Sequence, residues 1–172
     1  MWQVKKIKGN YLIMNTNDVI CSNNNFDSDA IEEIFKYNSL IDDLKLIQLA
    51  SEARKLAYCP YSKFSVGAAL LAEGDIFIAG NIETASHTAD VCAERAAFIK
   101  AIAGGYKKFD KIAIMGGKCE EKSSNILPCG ICLQFMTDFV DDNFEIITLA
   151  NDNIEKYKLT DLLNKPFKRF HI

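Results

Sequence analysis

The 172-residue sequence predicts an α/β or α+β sandwich. Three observations carry that expectation. Short runs of branched and small apolar residues read as buried strands. Ala-rich runs with helical spacing lie between them. Gly- or Pro-marked stops separate the two kinds of segment. Hydrophobic residues make up 49% of the chain, enough for one domain with its own core and a small appendage.

Residues 1–40 read as an N-terminal extension, and residues 41–172 as the main domain. In the extension, residues 2–7 and 11–14 flank Gly9-Asn10, a β-hairpin signal. The polar run around Asn23-Asn24-Asn25 reads as a loop, and residues 29–36 as a short helix. Ser39 can cap the next helix, with Asp42 near the positive end of its dipole. Leu46, Leu49, Ala50, Ala53, Leu56 and Ala57 then recur at helical spacing until Pro60 ends the run. Residues 65–71 read as a buried strand that turns at Glu73-Gly74-Asp75 and returns through 76–79. A helix over 91–103 closes at Gly104-Gly105. A strand over 111–115, a helix over 129–140 and a strand over 144–150 follow. A last strand is expected near 157–159, with Thr160 capping a short helix through Leu163.

The formal charge is -3 and the isoelectric point about 5.4, which argues against a nucleic-acid partner. No apolar run reaches the roughly 18 residues of a membrane span. No secretory signal is read at the N-terminus, so a cytoplasmic location is expected. Six cysteines are present: Cys21, Cys59, Cys92, Cys119, Cys129 and Cys132. A chain of this size without an export signal needs no disulfide framework, so reduced thiols fit better.

Two strings carry the chemistry: Cys92-Ala93-Glu94 and Pro128-Cys129-Gly130-Ile131-Cys132. Cys129 and Cys132 are three apart at a predicted helix start, so both sulfurs can reach one ion. Cys92 opens another helix, where free N–H groups and the dipole favour its thiolate. Three thiolates on one Zn²⁺ leave a fourth position open, as a catalytic site requires. The competing reading is a closed structural zinc, with Cys119, Cys59 or His87 as fourth ligand. Glu94 reads either as a dipole-favoured glutamate or as a proton carrier beside an activated water. Arg95 reads either as a counter-charge to the sulfurs or as a surface or interface ion pair.

At these residues the chain resembles the cytidine deaminase family, specifically its free-nucleoside members with three cysteine ligands. The likeness runs over about residues 45–167. It includes Tyr58-Cys59-Pro60-Tyr61-Ser62-Lys63-Phe64, Val66-Gly67-Ala68-Ala69-Leu70-Leu71 and Asn81-Ile82-Glu83. It continues through Cys92-Ala93-Glu94-Arg95, Pro128-Cys129-Gly130-Ile131-Cys132, and Leu162-Leu163 before Phe167. The resemblance implies a three-layer α-β-α fold around a mixed sheet of about five strands. It implies one Zn²⁺ per subunit on Cys92, Cys129 and Cys132, with Glu94 moving the protons. Phe64 would line the base pocket, and the Ala93 N–H would meet the pyrimidine carbonyl. Asn81 and Glu83 would bind the ribose hydroxyls. The resemblance further implies a homotetramer with shared sites, Phe167 reaching into a neighbour's.

The implied reaction is hydrolysis of cytidine and 2'-deoxycytidine to the uridines with release of ammonia, a step of pyrimidine salvage. The alternatives are a deaminase of a modified nucleoside such as blasticidin S, or a catalytically silent zinc module. Three positions depart from the family. Leu133 stands where an arginine is usual, Thr84 where an asparagine is usual, and His87 at an aromatic position near a subunit interface.

Overall fold

The computed structural model describes residues 2–7, 10–15, 43–119, 126–150 and 153–167. The chain divides into two compact units, Met1–Lys36 and Tyr37–Ile172. In the first, β1 (Trp2–Ile7) pairs antiparallel with β2 (Asn10–Asn15), Ile7 opposite Asn10. The loop and helix expected over 23–36 and the Ser39 cap lie outside the described residues.

The second unit is built on one five-stranded sheet. Helix α1 (residues 43–53) runs into a 3₁₀ turn at Arg54–Leu56. Strands β3 (Phe64–Ala72) and β4 (Asp75–Gly80) follow, then α2 (Ala93–Ala103) and β5 (Lys111–Lys118). Helix α3 (Gly130–Met136), β6 (Glu145–Ala150), β7 (Asn153–Lys158) and α4 (Leu159–Leu162) complete it. The strand order is β4-β3-β5-β6-β7. Only the β5–β6 pair is parallel. A parallel pair needs a crossover, and α3 lies within it.

Alternation along the strands makes the three layers. Ala68, Leu70, Ile112, Ile114 and Ile146 pack on one face with Ala97, Phe98 and Ala101 of α2 and Leu133 and Met136 of α3. Ala69, Ala113, Met115 and Ile147 pack on the other with Leu46, Ile47 and Ala50 of α1. Phe98 is fully buried, which contributes about 2–3 kcal/mol by area. The expected α-β-α arrangement is therefore present, and every strand expected in this unit forms.

Gly67 lets α1 approach the sheet. A Cβ there would lie 2.1 Å from the Ala50 carbonyl oxygen, so any larger residue forces the helix away. The β3–β4 turn has Glu73 at φ 51° and Gly74 at φ 91°, the two left-handed residues of a tight hairpin. One expectation fails at the last helix. Its cap is Lys158 rather than Thr160. The Asp161 carboxylate reaches back to accept the Lys158 N–H at 2.9 Å, and the helix starts two residues earlier than expected.

Candidate metal centre

The three cysteines meet where two helices begin. Cys92 caps α2 and Cys129 caps α3. Cys132 lies in the first turn of α3, buried in the core, three residues past Cys129. The Cys92–Cys129 sulfurs are 3.8 Å apart and the Cys129–Cys132 sulfurs 3.6 Å. All three sulfurs lie within 4.8 Å of one another. A tetrahedral Zn²⁺ with Zn–S bonds of about 2.3 Å separates its sulfurs by about 3.8 Å. The cluster fits that ion without rearrangement.

The surroundings favour a thiolate at Cys92. The Cys92 thiol is pushed down to about 5, first by a hydrogen bond from Cys132, then by Arg95 and Cys129. The same pairing, together with burial, pushes the Cys132 thiol up. Arg95 Nη2 lies 3.9 Å from Cys92 Sγ and donates to the Asp90 carbonyl at 2.8 Å. Leu133, at the position where the family has a cation, is buried in the apolar core instead.

None of the three candidate fourth ligands joins the cluster. Among the described residues the metal-ligating group is Cys92, Cys129 and Cys132. Cys59 and Cys119 face each other, their sulfurs 3.3 Å apart. His87 faces Asp90, with Nδ1 3.2 Å from its carboxylate, and packs edge-on against Tyr61. The five described cysteines are free.

Glu94 sits in the first turn of α2, only 4% exposed. Burial pushes its carboxyl up to about 7, and the charge of Cys92 adds to the rise. Cys132 is within hydrogen-bond reach of it. Ala93, the first residue of α2, is fully buried, and first-turn N–H groups have no acceptor within their helix.

A second group of predicted residues is tied to the first through backbone. Ile82 and Val91 exchange N–H···O bonds of 2.9 Å each, which sets Asn81–Glu83 beside Cys92. The Asn81 amide accepts from the Val66 N–H at 2.8 Å and donates to the Phe64 carbonyl at 3.1 Å. Phe64 opens β3, its ring half-buried opposite Gly116. The Glu83 carboxylate accepts the N–H groups of Tyr61 at 3.0 Å and Ser62 at 3.1 Å, and the Ser62 hydroxyl. That hydroxyl, and then the two N–H groups, hold the Glu83 carboxyl below the usual carboxylate range.

Phe167 stands apart: its side chain is 70% exposed. Its backbone is fixed by Gln134, two residues past Cys132. The Gln134 amide donates to the Phe167 carbonyl at 2.9 Å and accepts its N–H at 2.8 Å.

Sequence reasoning missed several of these anchors. Asp90 accepts the Thr84 N–H at 2.6 Å and the Thr84 hydroxyl at 3.0 Å, so it shapes the loop between Glu83 and Cys92. The Thr-x₅-Asp spacing carries no strong signal for that. The Ser62–Glu83 clamp and the Gln134–Phe167 tie join residues 21 and 33 apart, beyond the reach of local pattern.

A three-thiolate cluster that matches zinc, with a buried carboxylate two residues from one ligand, defines a zinc-dependent deaminase. The comparisons are specific. Residues 40–148 match the family described as "Cytidine and deoxycytidylate deaminase zinc-binding region". The cytidine deaminase of Sporosarcina psychrophila is 37% identical over 131 residues, 75% of this chain and 93% of that one. The cytidine deaminase of Halalkalibacterium halodurans is 36% identical over 130 residues, 74% of this chain and 95% of that one. The crystal structure of the cytidine deaminase from Burkholderia pseudomallei superposes with a TM-score of 0.64 at 38% identity, covering 72% of this chain and 97% of that one. The chain belongs to the cytidine and deoxycytidylate deaminase family.

Proposed function

We infer that the chain catalyses the hydrolytic, zinc-dependent deamination of cytidine and 2'-deoxycytidine to uridine and 2'-deoxyuridine, releasing ammonia. The observation that carries this reading is the open set of three thiolates beside the buried Glu94. Cys92, Cys129 and Cys132 hold the Zn²⁺. When bound, the ion supplies an activated water near neutral pH.

The chain's own residues do the rest. Glu94 carries a proton to ring N3 and then one to the departing amine, from the first turn of α2 two residues past the ligand Cys92. The Ala93 N–H holds the pyrimidine carbonyl oxygen. Phe64 packs against the base. Asn81 and Glu83 hold the ribose hydroxyls, and their ties to β3 and to the 61–62 backbone set both side chains before substrate arrives. Arg95 offsets part of the charge of the sulfurs, a role supported by its approach to Cys92. Residues 41–172 carry the reaction and residues 1–40 are an extension.

We place the reaction in the salvage of pyrimidine nucleosides in the cytoplasm. Free cysteines throughout the described residues support a reducing compartment. The active form is a homotetramer with shared sites, Phe167 entering a neighbour's. The exposed Phe167 ring and exposed Leu127 and Ile131 beside the cluster support that reading. Among the described residues no helix is long and apolar enough to cross a membrane.

The test is direct. Zinc-loaded protein is incubated with cytidine, 2'-deoxycytidine and blasticidin S, and loss of the cytosine absorbance is followed. Turnover of cytidine or deoxycytidine is expected. Turnover of blasticidin S alone, or of none, contradicts the reading.

A further inference from the structure

Cys59 and Cys119 take no part in the metal cluster, yet their sulfurs lie 3.3 Å apart. They line a cavity of about 420 Å³ with Arg54, Lys55 and Ser65. Arg54 is fixed there by Ser65, whose Oγ accepts from Nε at 3.1 Å, and by the Lys118 carbonyl, which accepts from Nη2 at 2.9 Å. The exposed Cys119 and the buried Cys59 thus face each other at the wall of an open cavity, where a small oxidant can reach the outer sulfur.

The pair also sits at a mechanical junction. Residues 57–63 form a strap across the end of the sheet. On the β4 side, the Tyr58 N–H donates to the Asn81 carbonyl and its own carbonyl accepts the Glu83 N–H, each at 2.8 Å. On the β5 side, the Cys119 N–H donates to the Lys63 carbonyl at 2.9 Å. With the strand order β4-β3-β5, Asn81–Glu83 and Cys119 lie on opposite flanks of the strap.

We propose that Cys59 and Cys119 are a redox-active thiol pair, oxidised by hydrogen peroxide to an intramolecular disulfide that pulls the strap away from Glu83. Cys119 is the exposed member and reacts first. Its thiolate sulfur attacks one peroxide oxygen, the O–O bond breaks, and the released hydroxide takes a proton to leave as water. Cys119 is then a sulfenic acid. The Cys59 sulfur attacks the Cys119 sulfur, the S–O bond breaks, and the hydroxyl departs with the Cys59 proton as a second water. Two thiols are oxidised and one peroxide is reduced. Burial pushes the Cys59 thiol up to about 11, so Cys59 is not the member that attacks the peroxide.

An S–S bond is about 2.0 Å long, so the sulfurs must close by more than 1 Å. That draws Cys59 toward β5 and shifts Tyr61 and Ser62 relative to Glu83.

The experiment uses the full-length, zinc-loaded protein. It is treated with one equivalent of hydrogen peroxide, alkylated and digested with trypsin. The expected product joins the peptide 56–63 to the peptide 119–122, and dithiothreitol reverses it. Zinc stays at one per chain, and KM for cytidine rises about threefold or more with kcat within about twofold. Cys119→Ser abolishes both the joined peptide and the KM response. Loss of zinc before the joined peptide forms, or oxidation of Cys119 with Cys59 still open to alkylation, overturns the proposal. A joined peptide with unchanged KM overturns the coupling to Glu83. The KM readout rests on the deaminase reading and the peptide does not, so failure of the two is told apart by mass.

Discussion

Two groups of cysteines in this chain have sulfurs at nearly the same spacing and opposite chemistry. Cys92, Cys129 and Cys132 stand at helix starts, with the Cys129 sulfur 3.8 Å from that of Cys92 and 3.6 Å from that of Cys132. Cys59 and Cys119 stand in a loop and at a strand end, 3.3 Å apart. In the first group, Cys92 is pushed down to about 5, with Arg95 sharing in that, while its hydrogen-bond partner Cys132 is pushed up. In the second, Cys59 is pushed up to about 11 by burial first and then by its bond to Cys119. The difference teaches that proximity of thiols does not make a metal site. At Cys92 a helix N-terminus and a nearby cation favour the thiolate that a metal needs; at Cys59 burial in a loop keeps the sulfur protonated.

The comparison breaks most sharply by substitution. Cys132→Ser removes a ligand that is buried in the core, so zinc content should fall well below one per chain. Cytidine turnover should fall more than about a hundredfold, because the activated water goes with the metal. Cys59→Ser should leave zinc content and turnover within about twofold. Metal analysis and initial rates on the same preparations check both. A Cys59 variant without zinc would merge the two groups into one site.

A smaller effect sharpens the boundary between them. Glu83→Gln replaces a charged acceptor of the 61–62 clamp with a neutral one that accepts less strongly. Hydrogen bonds to charged groups are worth about 1.5–3 kcal/mol, so KM should rise about 10- to 100-fold. Zinc content should not change. Steady-state kinetics with cytidine separates this from a metal effect, which would lower kcat instead.

The smallest effect is on stability alone. Gly67→Ala pushes a Cβ into the Ala50 carbonyl and toward the Arg54 backbone, which forms the wall of the thiol cavity. Overpacking of this kind costs about 1–3 kcal/mol. The melting temperature should fall, with zinc still bound at one per chain. An unchanged melting temperature would mean that α1 yields freely at this contact.

What could be read from the sequence follows the range of the interactions. The clustering of Cys92, Cys129 and Cys132 was readable because both strings are local: Cys-x-x-Cys at a helix start and Cys-x-Glu at another. The β3–β4 hairpin was readable because Glu73-Gly74 permits the two left-handed residues its turn uses. The three layers came from the family resemblance; the structure makes them by alternation along β3 and β5, which sends neighbouring residues to opposite faces. The rest depends on long-range pairing. Asp43 is fully buried in α1, held by Lys111 of β5 at 2.7 Å and by Lys156 of β7. No local pattern marks an aspartate for burial when its partners are so far along the chain. Cys59 and Cys119 are 60 residues apart, and as isolated cysteines they could be read as candidate fourth ligands. Only the strand order shows that the fold pairs them with each other.

The central claim is that three thiolates hold the metal while a separate carboxylate moves the protons. Glu94→Gln tests it most directly, because the amide keeps the shape and hydrogen-bonding reach but cannot carry the proton. Zinc content and cytidine turnover are measured on one preparation. The account predicts one zinc per chain and a loss of turnover of about 10²- to 10⁴-fold. Normal turnover, or loss of the zinc, would contradict it.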